Sequence, residues 1–276
     1  MKTIKADNSI RESDEQKTVV VVVDPSHDHQ PALDNFVAMA SSAPKDKLFR
    51  LIIVLASTSK ENHNRKTFSF SDAWINDNVH QPLTRLNIPY NTITAWSPEW
   101  DESILHINKE FSATLTIIPY YSELPGKFLA DEKWKLLRKS SNPILIAADQ
   151  DYSQVKRILC TLKFQDQSYR ERNQRVAEKA QNFAALFDLE VHAVNAYNDS
   201  MEFPDRSNIA LMSGIENSNI HVKCGEPEDV ISETADAIDA DLIVIANQQR
   251  QGLSGALRGN LIEKIIDRID RSILMV

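Results

Sequence analysis

Asp24, His27, Asp28 and His29 crowd one strand-to-helix turn. Imidazole nitrogens and carboxylate oxygens are the usual ligands of zinc and related ions. His27 and His29 stand only two residues apart, however, and Asp28 is placed to cap the helix that follows. No metal is therefore expected. His63, His80, His106, His192 and His221 share no ligand spacing, and the last two fall in strands as structural side chains. No nucleophile elbow, HExxH or paired CxxC occurs. No GxGxxG follows a strand, which disfavours a dinucleotide oxidoreductase. Lys163 ends another strand, as a cation facing an anionic small molecule or as a surface lysine reaching solvent.

The elements that must position these groups repeat. The first half runs from TVVVVVDPS (Thr18 to Ser26) to PILIA (Pro143 to Ala147). The second runs from RILCTLK (Arg157 to Lys163) to SILMV (Ser272 to Val276). Between them TITAWSPE answers IHVKCGEPE, ATLTIIP answers ADLIVIA, and LLRKSSNPILIA answers IIDRIDRSILMV. A repeated unit of this size means two domains of one fold. The expected boundaries are a flexible tail over 1–16, a first domain over 17–149 and a second over 150–276.

Within each half, apolar strands alternate with amphipathic helices. Five successive valines, Val19 to Val23, read as a central parallel strand buried on both faces. Leu33, Phe36, Val37 and Ala40 form one helical stripe, ending before Pro44. A weaker helical signal covers Ser71 to Leu86, and the helix between Asn198 and Asn219 must be brief or missing. Cleaner stripes follow at Val176 to Phe187, Val230 to Ile238 and Leu261 to Ile269, the last with Asn260 as N-cap and Glu263 completing a capping box. This alternation implies an open parallel α/β sheet in each half, with ligands at the carboxyl ends of the strands near the switch in strand order. Those ends are Asp24, Lys163 and the loops after Ile118 and Ile245.

The bulk numbers restrict the function. The chain has 276 residues, 42% of them hydrophobic, and a mean hydropathy of −0.35. A net charge of −8 and a pI near 5.4 argue against nucleic acid or an anionic membrane surface as partner. No apolar run reaches the ~20 residues of a membrane span, and the amino terminus lacks the core of a signal peptide. A cytoplasmic location is expected. Cys160 and Cys224 both fall in strands and are expected as small buried hydrophobes without a disulfide. The basic run RERNQR reads as a solvated helix face, and Trp96 and Trp134 as core or rim packing.

The loop ANQQRQGLSGALRGNLIEK (Ala246 to Lys264) resembles the signature of the universal stress protein family: a Gly, two residues, a Gly, nine residues, then Gly and Ser or Thr. The spaced positions fall on Ala246, Gln249 and Gly259, followed by Asn260. ADLIVIA, GEPEDVI, VVVDPSHDHQPAL and WKLLRKSSNP are similar to the family too, the last two to its tandem E type. The resemblance covers nearly everything from Val19 to Val276. It implies two Rossmann-like, adenine-nucleotide-hydrolase-like sheets of five strands each, flanked by helices and packed as an intramolecular pseudo-dimer along the closing strands at Ile144 and Ile273. It also implies that Asp24, at the end of the first strand, and the glycine loop are where ATP-binding members hold the nucleotide, the phosphates resting on backbone N–H groups.

The glycines argue against such a site. The chain has six, and the first half keeps one, Gly126. Pro119 stands at its first motif position, and Ala130-Asp131 replaces Gly-Ser or Gly-Thr. In the second half Ala246 is a small change, but Gln249 sends a long side chain into the phosphate approach and Lys163 replaces the strand-end Asp. A charge-assisted hydrogen bond contributes roughly 1.5–3 kcal/mol. Losing two costs ~3–6 kcal/mol, roughly 10²–10⁴ in Kd. Arg250 and Asn260 are the polar groups able to recover part of that loss.

The leading expectation is thus a non-enzymatic tandem stress protein that binds a small ligand or a protein partner, with no cofactor. The rivals are a weak ATP binder, slowly hydrolysing, that uses the second-half loop with Lys163, Ala246, Asn247, Gln249, Arg250, Gly259 and Asn260, and a binder of an apolar or anionic metabolite in the degenerate cleft. A further pairing of whole chains is compatible with either.

Overall fold

The computed structural model describes residues 17–43, 49–58, 71–95, 97, 99–121, 131–152, 155–199, 201, 203–247 and 261–276. The expected tail over 1–16 lies outside them, as do Trp96, Gly126 and the site positions Gln249, Arg250, Gly259 and Asn260. The chain divides into two compact units between Tyr152 and Ser153.

The first unit is a parallel sheet in the order β3-β2-β1-β4-β5. Its strands are β1 (Lys17–Val23), β2 (Phe49–Leu55), β3 (Tyr90–Thr94), β4 (Leu115–Pro119) and β5 (Ile144–Ala147). The valine run is central, between β2 and β4, with Val20 to Val23 fully buried. This is how a strand covered on both faces must be built. Helix α1 (Pro31–Ser42) returns to β2 and stops ahead of Pro44, which bars the helical conformation at the residue before it. The weaker signal before β3 is helical. It opens at Asp72–Ile75, passes through a π-turn at Asn76–His80 and ends as α2 (Gln81–Leu86). Helices α3 (Trp100–Glu110) and α4 (Asp131–Lys139) complete the unit. Right-handed crossovers place α1 with α2 and α3 with α4, and those are the pairs that touch.

The second unit repeats the plan in the order β8-β7-β6-β9-β10, again parallel. The strands are β6 (Arg157–Thr161), β7 (Glu190–Tyr197), β8 (Ile220–Cys224), β9 (Leu242–Ile245) and β10 (Ser272–Met275). The helices are α5 (Arg170–Phe187), α6 (Arg206–Ser213), α7 (Pro227–Ala237) and α8 (Leu261–Arg268). The brief helix foreseen between Asn198 and Asn219 is α6, closed by Gly214 at φ +67°, a left-handed turn that suits a residue without a side chain. None of the described helices is long and apolar enough to cross a membrane.

Three expectations are corrected. Asp28 does not cap α1: the N-cap is Gln30, whose amide is engaged with the backbone of the preceding turn instead. Cys160 is buried, which pushes its thiol up to about 12, but Cys224 is exposed because β8 is the outermost strand of its unit. The RERNQR run is not wholly solvated, since Asn173 within it is buried and holds a neighbouring loop.

One core position is unusual. Asp101, in the first turn of α3, is 1% exposed, and neither of its carboxylate oxygens accepts a hydrogen bond. The inner face of the corresponding helix α7 carries Val230 and Ile231. An unsatisfied buried polar group costs about 1–3 kcal/mol. Asp101→Leu should therefore stabilise the first unit by about that amount. All four tryptophans precede Ser153 in the sequence, so urea unfolding followed by tryptophan fluorescence reads the first unit selectively, as a higher midpoint.

Candidate functional site

In the first unit the site is built on the turn from β1 to α1. Asp24 follows the valine strand and is fully buried. Its Oδ1 accepts from the Ser26 N–H at 3.0 Å and the Ser26 hydroxyl at 2.6 Å. Its Oδ2 accepts from the Thr58 N–H at 2.6 Å and the Thr58 hydroxyl at 2.7 Å. A carboxylate has about four lone-pair positions, and these donors match them. Gln30 organises the same turn. Its Oε1 accepts from the Asp24 N–H at 3.0 Å, and its Nε2 donates to the carbonyls of Asp24 and His27 at 2.9 and 2.7 Å.

The switch in strand order lies between β1 and β4, and side chains span it. The His27 ring stacks on Tyr121, which follows β4, with centroids 3.7 Å apart and planes at 11°. The Tyr121 hydroxyl donates to the His29 carbonyl at 3.2 Å. Lys133 of α4 is buried. Its ammonium donates to the Pro119 carbonyl at 2.9 Å and lies 5.8 Å from the Tyr121 ring. His29 meets two carboxylates, Nε2 to Asp34 at 2.9 Å and Nδ1 to Asp149 at 3.2 Å. The histidines of this turn thus engage a ring and two carboxylates.

The second unit arranges the matching edge differently. Lys163 follows β6, and Ala246 and Asn247 follow β9, its neighbour across the switch point. Cys160 and Val244 are register partners, so Lys163 and Asn247 stand equally far along the two strands. Asn173 of α5 fixes Lys163 by its backbone: Oδ1 accepts from the N–H at 2.9 Å and Nδ2 donates to the carbonyl at 2.7 Å. Asn195 of β7 accepts from the Phe164 N–H at 2.9 Å. The Lys163 side chain is exposed, and its ammonium lies 4.5 Å from the centre of the Tyr169 ring. The Arg172 guanidinium lies 5.0 Å from the same ring. Asn247 donates its N–H to the Val276 carbonyl at 2.7 Å.

Of the residues singled out in the sequence, the structure therefore brings Lys163, Ala246 and Asn247 to one edge and places Asp24 at the matching edge of the other unit. The described residues here offer the cations Lys163 and Arg172, the Asp166 carboxylate whose charge both of them favour, an aromatic face and backbone groups. A group of three or more His, Cys, Asp or Glu able to hold a metal ion is not assembled among them.

Residues 205–276 match the universal stress protein family. Along 296 aligned residues the chain is 23% identical to universal stress protein E of Escherichia coli (strain K12), covering 94% of this chain and 93% of that protein. The chain is homologous to universal stress protein E. Solved structures show the same fold. A universal stress protein from Pseudomonas aeruginosa UCBPP-PA14 superposes with a TM-score of 0.74 at 22% identity, over 94% of this chain and 92% of that one. One from Archaeoglobus fulgidus DSM 4304 gives 0.65 at 14%, over 94% and 95%.

In this universal stress protein E homologue the sequence reading missed the groups that hold the strand-end residues. Ser26 was visible in the Asp-Pro-Ser turn as a residue able to bond back to Asp24. Thr58, Gln30, Asn173, Asn195 and Tyr121 carried no such mark. The geometry sets a clear expectation. Asp24→Ala removes the acceptor of four donors, leaving those of Thr58 buried. It should destabilise the first unit by about 3 kcal/mol or more, read as a lower urea midpoint in tryptophan fluorescence.

Proposed function

We propose that this chain is a tandem stress-response protein that binds a small ligand or a protein partner without chemical turnover, and that neither half holds ATP as a glycine-loop site does. The observation that carries the reading is the fate of the strand-end residue. In the first unit the Asp24 carboxylate already accepts from Ser26 and Thr58 on both oxygens. Contacting a nucleotide would break bonds it already makes. In the second unit the same place is taken by Lys163, a cation with no acceptor to offer. The sequence adds Pro119 and Asp131 in the first loop and Gln249 in the second. By the motif spacing, Pro119 and Gln249 stand where the family signature has glycine and Asp131 where it has Ser or Thr, and a phosphate loop of that kind relies on bare backbone.

A second reading has its own support. Lys163 and Arg172 both approach the Tyr169 ring at the carboxyl edge of the second unit. Two cations beside an aromatic face suit an anionic, planar metabolite, so the ligand of the second unit would be of that class.

ATP-magnesium titration of the whole chain, followed calorimetrically, is the test. Wild type should show no saturation below ~1 mM, the range left after a loss of roughly 10²–10⁴ from a micromolar site. Gln249→Gly combined with Lys163→Asp should tighten binding by at least tenfold. Micromolar saturation of the wild type, or ATP released from native protein near one per chain, would overturn the reading.

A further inference from the structure

On the second unit's outer strands, a carboxylate and two imidazoles form a chain that the proposed ligand edge does not use. His192 lies on β7 and is 8% exposed; His221 lies on β8. Val194 is the register partner of His221, so both rings project from one face of the sheet. His192 Nδ1 is 3.2 Å from His221 Nε2, and the rings lie at 21° with centroids 5.4 Å apart. The other nitrogen of His192, Nε2, faces Glu190 Oε2 at 3.4 Å, within ion-pair range but bent from hydrogen-bond geometry. Glu190 also takes Arg157 of β6 at 3.3 Å and Asn219 at 3.2 Å.

We infer that this Glu190–His192–His221 chain is a proton-sensing latch that holds β8 closed near neutral pH and loosens it on acidification. One contact between two ring nitrogens needs one N–H and one lone pair. The pair meets this when neutral, and when His192 alone is charged beside Glu190. A second proton puts two N–H groups face to face, so it enters only when the contact opens. The other charges acting on His221 favour the neutral ring: Lys223 on its own strand and Arg206 at the start of α6. Burial first, then the charges of His192, Lys223 and Arg206, lower the affinity of His221 for a proton. Glu190 is held below the usual carboxylate range, first by its contact with His192.

The sign follows. An open or unfolded His221 takes its proton near pH ~6.5, while the closed one resists it. Opening therefore binds a proton, and the closed state loses ground as pH falls below ~6.5, by at most tenfold per pH unit for one proton. Glu190 acts in a lower window, its contribution being lost as pH falls from the ordinary carboxylate range through its own depressed value. β8 is an outermost strand, and its last residue, Cys224, pairs with Tyr197, against which the exposed Phe203 packs edge-on at 5.3 Å. Loosening β8 releases the edge of β7 that carries this aromatic pair.

The test is amide hydrogen exchange of the full chain at pH 7.0 and 5.5 with a chelator present, corrected for intrinsic rates. Peptides spanning 206–224 should lose protection several-fold, and roughly tenfold at most, while peptides from 17–58 change little. His221→Gln should abolish the difference. An unchanged wild type, an equal response in His221→Gln, or a response that needs added zinc would each overturn the latch. Should His221→Gln already be loose at pH 7.0, the histidine proton resonances of the wild type decide. A His221 that titrates at or above the ordinary value ends the proposal, and one displaced below it sustains the proposal.

Discussion

A strand buried on both faces admits polar groups only at its ends. At the end of β1 that place holds a fully buried carboxylate, Asp24. Taking such a charge out of water costs several kcal/mol unless it is paired. Four donors supply the pairing, two from its own turn and two from Thr58 beyond β2. The same contact therefore fixes how the chain enters α1 and ties the ends of two neighbouring strands. Gln30 then closes the turn, and His27 is carried to where it stacks on Tyr121. The first carboxyl edge is arranged around the need to satisfy one anion from within.

The second unit has the same strand order and meets the same need without a charge. Asn173 offers one acceptor and one donor from a single amide, which match the N–H and C=O of Lys163. One residue on, Asn195 accepts from the Phe164 N–H and donates to the Ala196 carbonyl of its own strand. Nothing at the end of β6 then requires an anion, and the lysine side chain extends over Tyr169. Two sheets of one topology thus present opposite electrostatics: an edge closed around its own carboxylate and an edge that is basic. Architecture alone does not decide what such an edge binds.

How much of this was legible in the sequence follows from range. The strands were legible because a β-branched run is a local signal, and the two units because the pattern recurs. Asp24 and Lys163 were legible because each directly ends such a run. Their partners were not: Thr58 is 34 residues from Asp24, and Asn195 is 31 from Phe164. A loop threonine or a strand asparagine bears no mark of a contact so distant. Asp101 reads as an ordinary first-turn acid, which the helix dipole favours; only packing reveals that its side chain faces inward without a partner. Cys224 was misread because membership of a strand does not say which strand is outermost. The helical signal before β3 was weak, and part of that stretch is a π-turn, in which the usual 3.6-residue spacing is broken.

On the proposed reading, the loss of the glycines and the capture of the strand-end residue are one event. A backbone glycine in a phosphate loop is held in place by the anion that must approach it. On that reading Asp24, occupied by Ser26 and Thr58, and the switch point, spanned by His27 on Tyr121, leave the first edge without a nucleotide to hold. The sequence there carries Pro119 and Asp131 where a phosphate loop would hold glycine and a hydroxyl side chain. In the second unit the exchange of Asp for Lys163 removes a carboxylate partner and adds a cation. That change does not by itself exclude anions, so the pressure to keep every glycine is relaxed only in part. The one retained motif glycine, Gly259, and the basic edge around Lys163 are the combination such partial relaxation leaves behind.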